Sequence, residues 1–295
     1  MNLFEKYYTI ESNNPPYPFY HEGDDLEKYF INFYFKNKQE FDKTGYEFIP
    51  VRWTIIYNES GHLIPQLQQD LYSLDSNKKY FTISQHDDAP HQVLPPNTLN
   101  FAAGGNMSNT IPIPLICSPI KKQLKNEKDI YCSFVGSVSQ NLGGFSTIAH
   151  QIRMRMLETL VENSNYILKP KYWSHEINEN RQELFLNLTS RSKFTLCPRG
   201  YGASSFRLYE AMQLNSIPVY IYYKQPYLPF SEKIKWDEIC VLIEHEDTFN
   251  LDEKLKNITE DTQKQMLLKI NQVYKEYFTL EKMCENILKK LQNYV

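Results

Sequence analysis

The chain has 295 residues, 41% of them hydrophobic and 23% charged, which suits one large core or, more readily, two domains of ordinary size. Its 32 basic and 35 acidic residues give a formal charge of -3 with no continuous polybasic face, which argues against nucleic acid as a partner. Five widely spaced cysteines, Cys117, Cys132, Cys197, Cys240 and Cys284, fit reduced and buried thiols better than a disulfide framework or a zinc site.

The first 45 residues look irregular apart from a helix predicted over Asp25 to Lys36. Tyr46 to Val51 reads as a strand, Arg52 to Tyr57 continues with hydrophobic alternation, and Ile64 to Leu74 fits a helix. Tyr80 to Ser84 is another strand, followed at once by Gln85, His86, Asp87 and Asp88. Val93 to Asn109 is loop-rich, and Ile111 to Cys117 reads as an edge strand despite its prolines. A Lys-rich connection, Lys121 to Lys128, marks the expected domain boundary. Beyond it lie a strand over Ile130 to Val135, a polar loop opened by Gly136, and a helix over Ile148 to Glu162. A strand at Tyr166 to Leu168 and a helix over Asn180 to Asn187 follow, and then the unit Ser192 to Tyr223, SKFTLCPRGYGASSFRLYEAMQLNSIPVYIYY. A short strand at Ile239 to Ile243 precedes a helical tail, which breaks near Thr279.

The expected organisation is therefore an α/β domain over residues 1–125, a second over 126–275, and a last helix over 276–295 that returns toward the first. The N-terminal MNLFEKYYTI lacks a long apolar core, and the run Ile111 to Ile120 is broken by Pro112, Pro114 and Pro119, so no segment approaches a membrane-spanning length. A cytoplasmic protein is expected, monomeric by preference, with the apolar face of the tail leaving a dimer open. The 22 Tyr and 17 Phe either line a sugar-binding cleft or reflect a compositional bias of the source.

Most informative is Ser192 to Tyr223, a strand, Gly-containing loop, helix and strand in succession. Such a unit presents backbone N–H groups and a helix N-terminus to an anion. Gly200 and Gly202 allow tight backbone geometry, and Ser204 or Ser205 can cap the helix. Arg199 and Arg207 flank the loop and offer guanidinium forks for a diphosphate, although Arg207 can instead pair with Glu210. Glu210, further along the helix, suits adjacent hydroxyls such as those of a ribose. Gly136, Ser137 and Ser139 form a second candidate phosphate cradle. Arg153 and Arg155 point to different helix faces, so at most one enters the same cleft. The loop lacks both GxxxxGK[ST] and GxGxxG.

His86, Asp87 and Asp88 sit directly after a strand, where α/β domains place ligand-facing groups. An Asp there can take a proton from an acceptor hydroxyl, or the three can form a solvated loop. Asp87 is the leading base, Asp88 the next, and His86 an orienting or substitute base. Glu59 with His62 is a weaker base and partner, and His21, His62, His91, His150 and His175 show no convergent ligand spacing.

The stretch SKFTLCPRGYGASSFRLYEAMQLNSIPV resembles the signature of the exostosin-like glycosyltransferases, glycosyltransferase family 47. The resemblance rests on a strand into CPRG, a Ser before Arg-Leu, and Glu-Ala-Met before Ile-Pro-Val. YEFIPV at 46–51 and CSFVGS at 132–137 extend it more weakly. It implies a GT-B-like fold of two facing Rossmann-like domains, a UDP-sugar donor with no obligatory cofactor or metal, a glycan acceptor, and inversion at the anomeric carbon. Xylose is the favoured sugar. Arg199, Gly200, Ser204, Ser205, Arg207 and Glu210 then belong to the nucleotide-sugar site, with Gly136 and Arg153 reaching it from neighbouring elements. Where family members carry Gly-Cys before Ile-Pro, this chain has Asn215-Ser216. Without an evident membrane anchor, a soluble viral or microbial member is the expected source, and a noncatalytic glycan-binding or scaffold protein of the same architecture is the alternative.

Overall fold

A computed structural model describes residues 3–11, 25–116, 119–120, 127–138, 147–172 and 179–294. The chain forms two compact units, Met1–Ser118 with Tyr277–Val295, and Pro119–Glu276.

In the first unit, short helices α1 (Glu5–Tyr8), α2 (Leu26–Lys36) and α3 (Lys38–Asp42) lead into β1 (Tyr46–Phe48). Then follow α4 (Trp53–Ser60), α5 (Pro65–Tyr72), β2 (Lys79–Ser84), β3 (Thr98–Ala102) and β4 (Thr110–Pro112). All pairings are parallel and the sheet order is β1-β2-β3-β4. Two sequence expectations fail here. Arg52 to Tyr57 enters a helix, not a strand: residues 53–57 are buried all round, so their alternation carries no face information. The supposed loop Val93 to Asn109 contains β3, whose last three residues are buried in the sheet.

Aromatic residues fill this unit's core. Phe81 stacks on Phe48 at 4.9 Å and on Phe41 at 5.7 Å between ring centroids, while Phe30 meets it edge-on at 6.1 Å. Many of the chain's aromatics therefore serve packing, at separations where ring pairs gain beyond their area. The side chain of Asp25 caps α2 and pairs with buried Arg52 at 2.6 Å. Beside this pair, the Glu27 carboxylate accepts from Thr54 N–H (3.0 Å), Thr54 Oγ1 (2.9 Å) and Gln85 N–H (2.8 Å). One buried side chain thus ties α2 to the start of α4 and to the exit of β2. Burial and the nearby Asp25 push its carboxyl upward, and the donated hydrogen bonds pull it back.

The second unit opens with β5 (Ile130–Val138), α6 (Ile148–Leu160), β6 (Tyr166–Tyr172) and α7 (Glu179–Arg191). It continues with β7 (Ser192–Pro198), α8 (Phe206–Gln213), β8 (Ile217–Tyr222), β9 (Val241–Glu244), α9 (Leu251–Lys256) and α10 (Glu260–Tyr277). Its sheet is parallel throughout, in the order β6-β5-β7-β8-β9. The strand order reverses between β5 and β7, which is where such sheets open a ligand crevice at their carboxyl ends. Below that opening, buried hydroxyl pairs satisfy one another, Ser192 with Ser133 and Thr195 with Ser216, both at 2.7 Å.

Helix α8 ends where Asn215 adopts φ +54°. Ser216 N–H bonds to Ala211 O at 3.0 Å and Asn215 N–H to Met212 O at 3.2 Å, the double bond pattern of a left-handed helix stop. Asn215 takes the conformation that a glycine ordinarily supplies. Finally α11 (Leu280–Gln292), capped by Thr279, buries Met283, Cys284, Ile287 and Leu291 and packs against α2 in the first unit. Its stripe at intervals of three to four is that of a one-sided helix.

Candidate functional site

At the β5/β7 opening, the loop after β7 is closed on itself. Arg199 N–H bonds to Ile221 O at 2.9 Å and Gly200 N–H to Ser204 O at 3.2 Å. These two amides are engaged by the protein and do not form the anion cradle expected of them. Gly200 is not required by strain either: its φ is not positive, and a Cβ there would lie 3.5 Å from Ser204 O, an ordinary contact. The Arg199 guanidinium curls back to donate to Tyr201 O at 3.0 Å.

Arg153, on α6, has a different role from the expected ligand contact. Its Nε donates to Arg199 O at 3.1 Å, its Nη2 to Pro198 O at 3.4 Å, and its Nη1 to the carbonyl of Ser137. One guanidinium therefore stitches the exits of β5 and β7 together. Arg155 is exposed. Gly136 does not open a loop; it lies within β5, where an added Cβ would come 2.8 Å from the Phe134 ring. Its lack of a side chain serves ring packing. Ser139 lies outside the described residues.

Ser205 holds the N-cap position of α8 with extended backbone, yet its hydroxyl makes no capping bond. Beside it, Ser204 is 3% exposed, and its Oγ has no hydrogen-bond partner among the described residues. A buried hydroxyl at a helix N-terminus is one that a bound polar group or water can satisfy. Arg207, in the first turn of α8, lays its guanidinium 3.6 Å from the Phe185 ring centroid and places Nη1 3.3 Å from Glu210 Oε2. Of the two alternatives read from the sequence, the pairing of Arg207 with Glu210 is the one present in the fold. Glu210 is 4% exposed, and burial pushes its carboxyl up to about 8.

Lys171 was missed in the sequence because the strand was read as ending at Leu168. β6 runs on to Tyr172, and Lys171 pairs in register with Ser137 at the carboxyl end of β5. Burial, then the charges of Arg207 and Arg181, hold its ammonium below the ordinary lysine value. Three cations sharing one end of a sheet, beside a helix N-terminus, favour a multiply charged anion.

In the first unit, His86, Asp87 and Asp88 leave the carboxyl end of β2 half-buried. The exits of β2 and β3 press together there: a Cβ on Gly104 would fall 2.3 Å from Asp87 Cα. His86 Nδ1 accepts from Asp88 N–H at 3.1 Å, so the neutral ring carries its proton on Nε2. In that tautomer His86 is a donor, and its part as substitute base requires the Asp88 bond to break. Burial holds its pKa below the ordinary imidazole value. Asp88 Oδ1 accepts from Asn106 Nδ2 at 2.8 Å.

The histidines converge as their spacing does not suggest. The His62 ring stacks on His91 at 4.3 Å and lies 5.4 Å from His86, while Tyr57 sits 4.8 Å from His62 and 5.3 Å from His86. Tyr57 fixes the group, with its hydroxyl accepting from His91 N–H at 2.7 Å and donating to Gln92 Oε1. His21 and His175 lie outside the described residues.

A five-stranded parallel sheet whose order reverses between β5 and β7, flanked by helices, defines the second unit as a doubly wound α/β domain. Residues 98–258 match the exostosin GT47 domain, and the chain belongs to that family. A probable glucuronosyltransferase of Oryza sativa subsp. japonica is 45% identical over 80 residues, 26% of this chain and 18% of that protein. A probable glycosyltransferase of Arabidopsis thaliana is 24% identical over 241 residues, covering 74% of this chain and 42% of that one. The chain thus spans less than half the length of these relatives. Among solved structures, the GtfA/B complex aligns with 72% of this chain and 46% of its own at a TM-score of 0.40 and 11% identity. These curated relatives are plant proteins, and nothing in them supports a viral or microbial source. Among the described residues, no helix is long and apolar enough to cross a membrane.

Proposed function

We infer that the chain transfers a sugar from a UDP-sugar to a hydroxyl of a glycan acceptor, in a GT-B-like arrangement with the donor on the second unit and the acceptor on the first. The observation that carries this is the start of α8 after β7, where Arg207 and buried Ser204 stand inside the family-matched segment and Lys171 of β6 feels the charge of Arg207. Arg207 and Lys171 would stabilise the leaving diphosphate electrostatically, and Glu210 would take the ribose hydroxyls. Arg153 would act at one remove, holding the loop that shapes the pocket.

Inversion by direct attack of the acceptor hydroxyl, with Asp87 as general base, completes the reading. Asp87 leaves the carboxyl end of a parallel strand, as such a base should. Glucuronic acid now stands ahead of xylose as the donor sugar, because several relatives are named as glucuronosyltransferases.

A panel of UDP-, GDP- and CMP-sugars with oligosaccharide acceptors tests the reading. The expected result is UDP release with an elongated glycan of inverted configuration. Retained configuration sinks the mechanism but keeps the transferase, and binding without turnover across the panel favours a glycan-binding protein instead. Fractionation and light scattering of the native protein test the cytoplasmic, monomeric expectation.

A further inference from the structure

The imidazole cluster of the first unit is not used by the transfer chemistry proposed for Asp87, and it lies before the family-matched residues 98–258. Three side chains there, His62, His86 and Asp88, each offer a ligand atom, and these atoms all lie within 4.8 Å of one another. From this geometry we propose that His62, His86 and Asp88 bind a divalent transition-metal ion of the zinc class.

Donor atoms around one tetrahedral zinc ion lie roughly 3.3 Å apart, so closure requires these side chains to move inward by about an ångström or somewhat more. Two imidazoles and one carboxylate form a borderline donor set, suited to Zn²⁺, Co²⁺ or Ni²⁺ and poorly suited to Mg²⁺ or Ca²⁺, which take oxygen ligands. Three protein ligands leave a position for water or another ligand.

The surroundings restrain two of the ligands, Asp88 and His62. Asn106 Nδ2 holds Asp88 Oδ1 at 2.8 Å, Gln92 Nε2 holds the His62 carbonyl at 2.9 Å, and His91 stacks on the His62 ring. Such outer contacts orient first ligands and raise affinity. Metal capture has one defined cost. An imidazole bound through either nitrogen leaves Nδ1 metallated or protonated, so the 3.1 Å bond from Asp88 N–H to His86 Nδ1 must be given up.

The proposal does not depend on the transferase reading. Titrating the purified, chelator-stripped protein with Co²⁺ tests it by the visible absorption of a bound, low-symmetry ion. One equivalent is expected to bind, to be displaced by Zn²⁺, and to be unaffected by Mg²⁺ or Ca²⁺ in excess. His62→Ala, at a solvent-accessible ring, and Asp88→Asn should each weaken binding by about 10-fold or more, whereas His150→Ala in the second unit should not. No saturable Co²⁺ binding, or binding unchanged by both His62→Ala and Asp88→Asn, overturns the site.

Discussion

Replacing Glu210 with Gln separates what this carboxyl does for folding from what it does for the ligand. Glu210 is 4% exposed, and burial raises its pKa from the ordinary 4.5 to about 8. The folded chain therefore binds more protons than the unfolded chain between those values. The stability this group contributes is fully present below pH 4.5 and is lost as the pH rises through 8. At about 1.4 kcal/mol per pKa unit, the loss approaches ~5 kcal/mol above pH 8, an upper bound because Arg207 lies 3.3 Å away and favours the carboxylate. Glu210→Gln keeps the shape and removes the titration. Urea denaturation at pH 4, 7 and 9 should show the variant closest to the parent at pH 4 and more stable by one to several kcal/mol at pH 9, by about the amount the parent loses. Calorimetry with UDP at pH 7 should show weaker binding by the same variant, if the carboxyl takes the ribose. A variant less stable at every pH would refute the reasoning, because it would mean that the ion pair with Arg207 outweighs burial.

Arg153→Lys keeps the charge but cannot reach three carbonyls in one plane, so the melting temperature should fall by several degrees in a thermal scan, and Arg153→Ala should cost more. Lys171→Met should weaken UDP binding by about 10-fold or more, with a shallower salt dependence in titrations at two ionic strengths. Gly104→Ala forces a Cβ against the Asp87 backbone, which should cost about 1–3 kcal/mol in denaturation and lower transfer while leaving UDP affinity unchanged.

The strands of the second unit were legible because β-branched and aromatic runs are bounded there by Gly, Pro and Asn. Pattern misled where burial surrounds an element. Arg52 to Tyr57 shows the hydrophobic alternation of a strand and enters a helix, since burial on all sides leaves the pattern no exposed face to mark. β3 was hidden by the loop-like residues flanking TLNFA, and its partners β2 and β4, not its own composition, define it. At the site, the Arg207–Glu210 pair was readable from i, i+3 spacing. Lys171 was not, because a charge near the end of a strand looks like the start of a loop. Nor was the meeting of His62 with His86, since α5 and β2 separate them in sequence and only the fold closes the gap.

The three carbonyls gathered by Arg153 have a consequence for timing. A binding loop that must first be ordered imposes that entropy on every ligand encounter. Here the guanidinium holds the exits of β5 and β7 through bonds made wholly within the protein. Donor capture at this end of the sheet should then run as a single fast phase set by diffusion and charge, with no slow isomerisation trailing it.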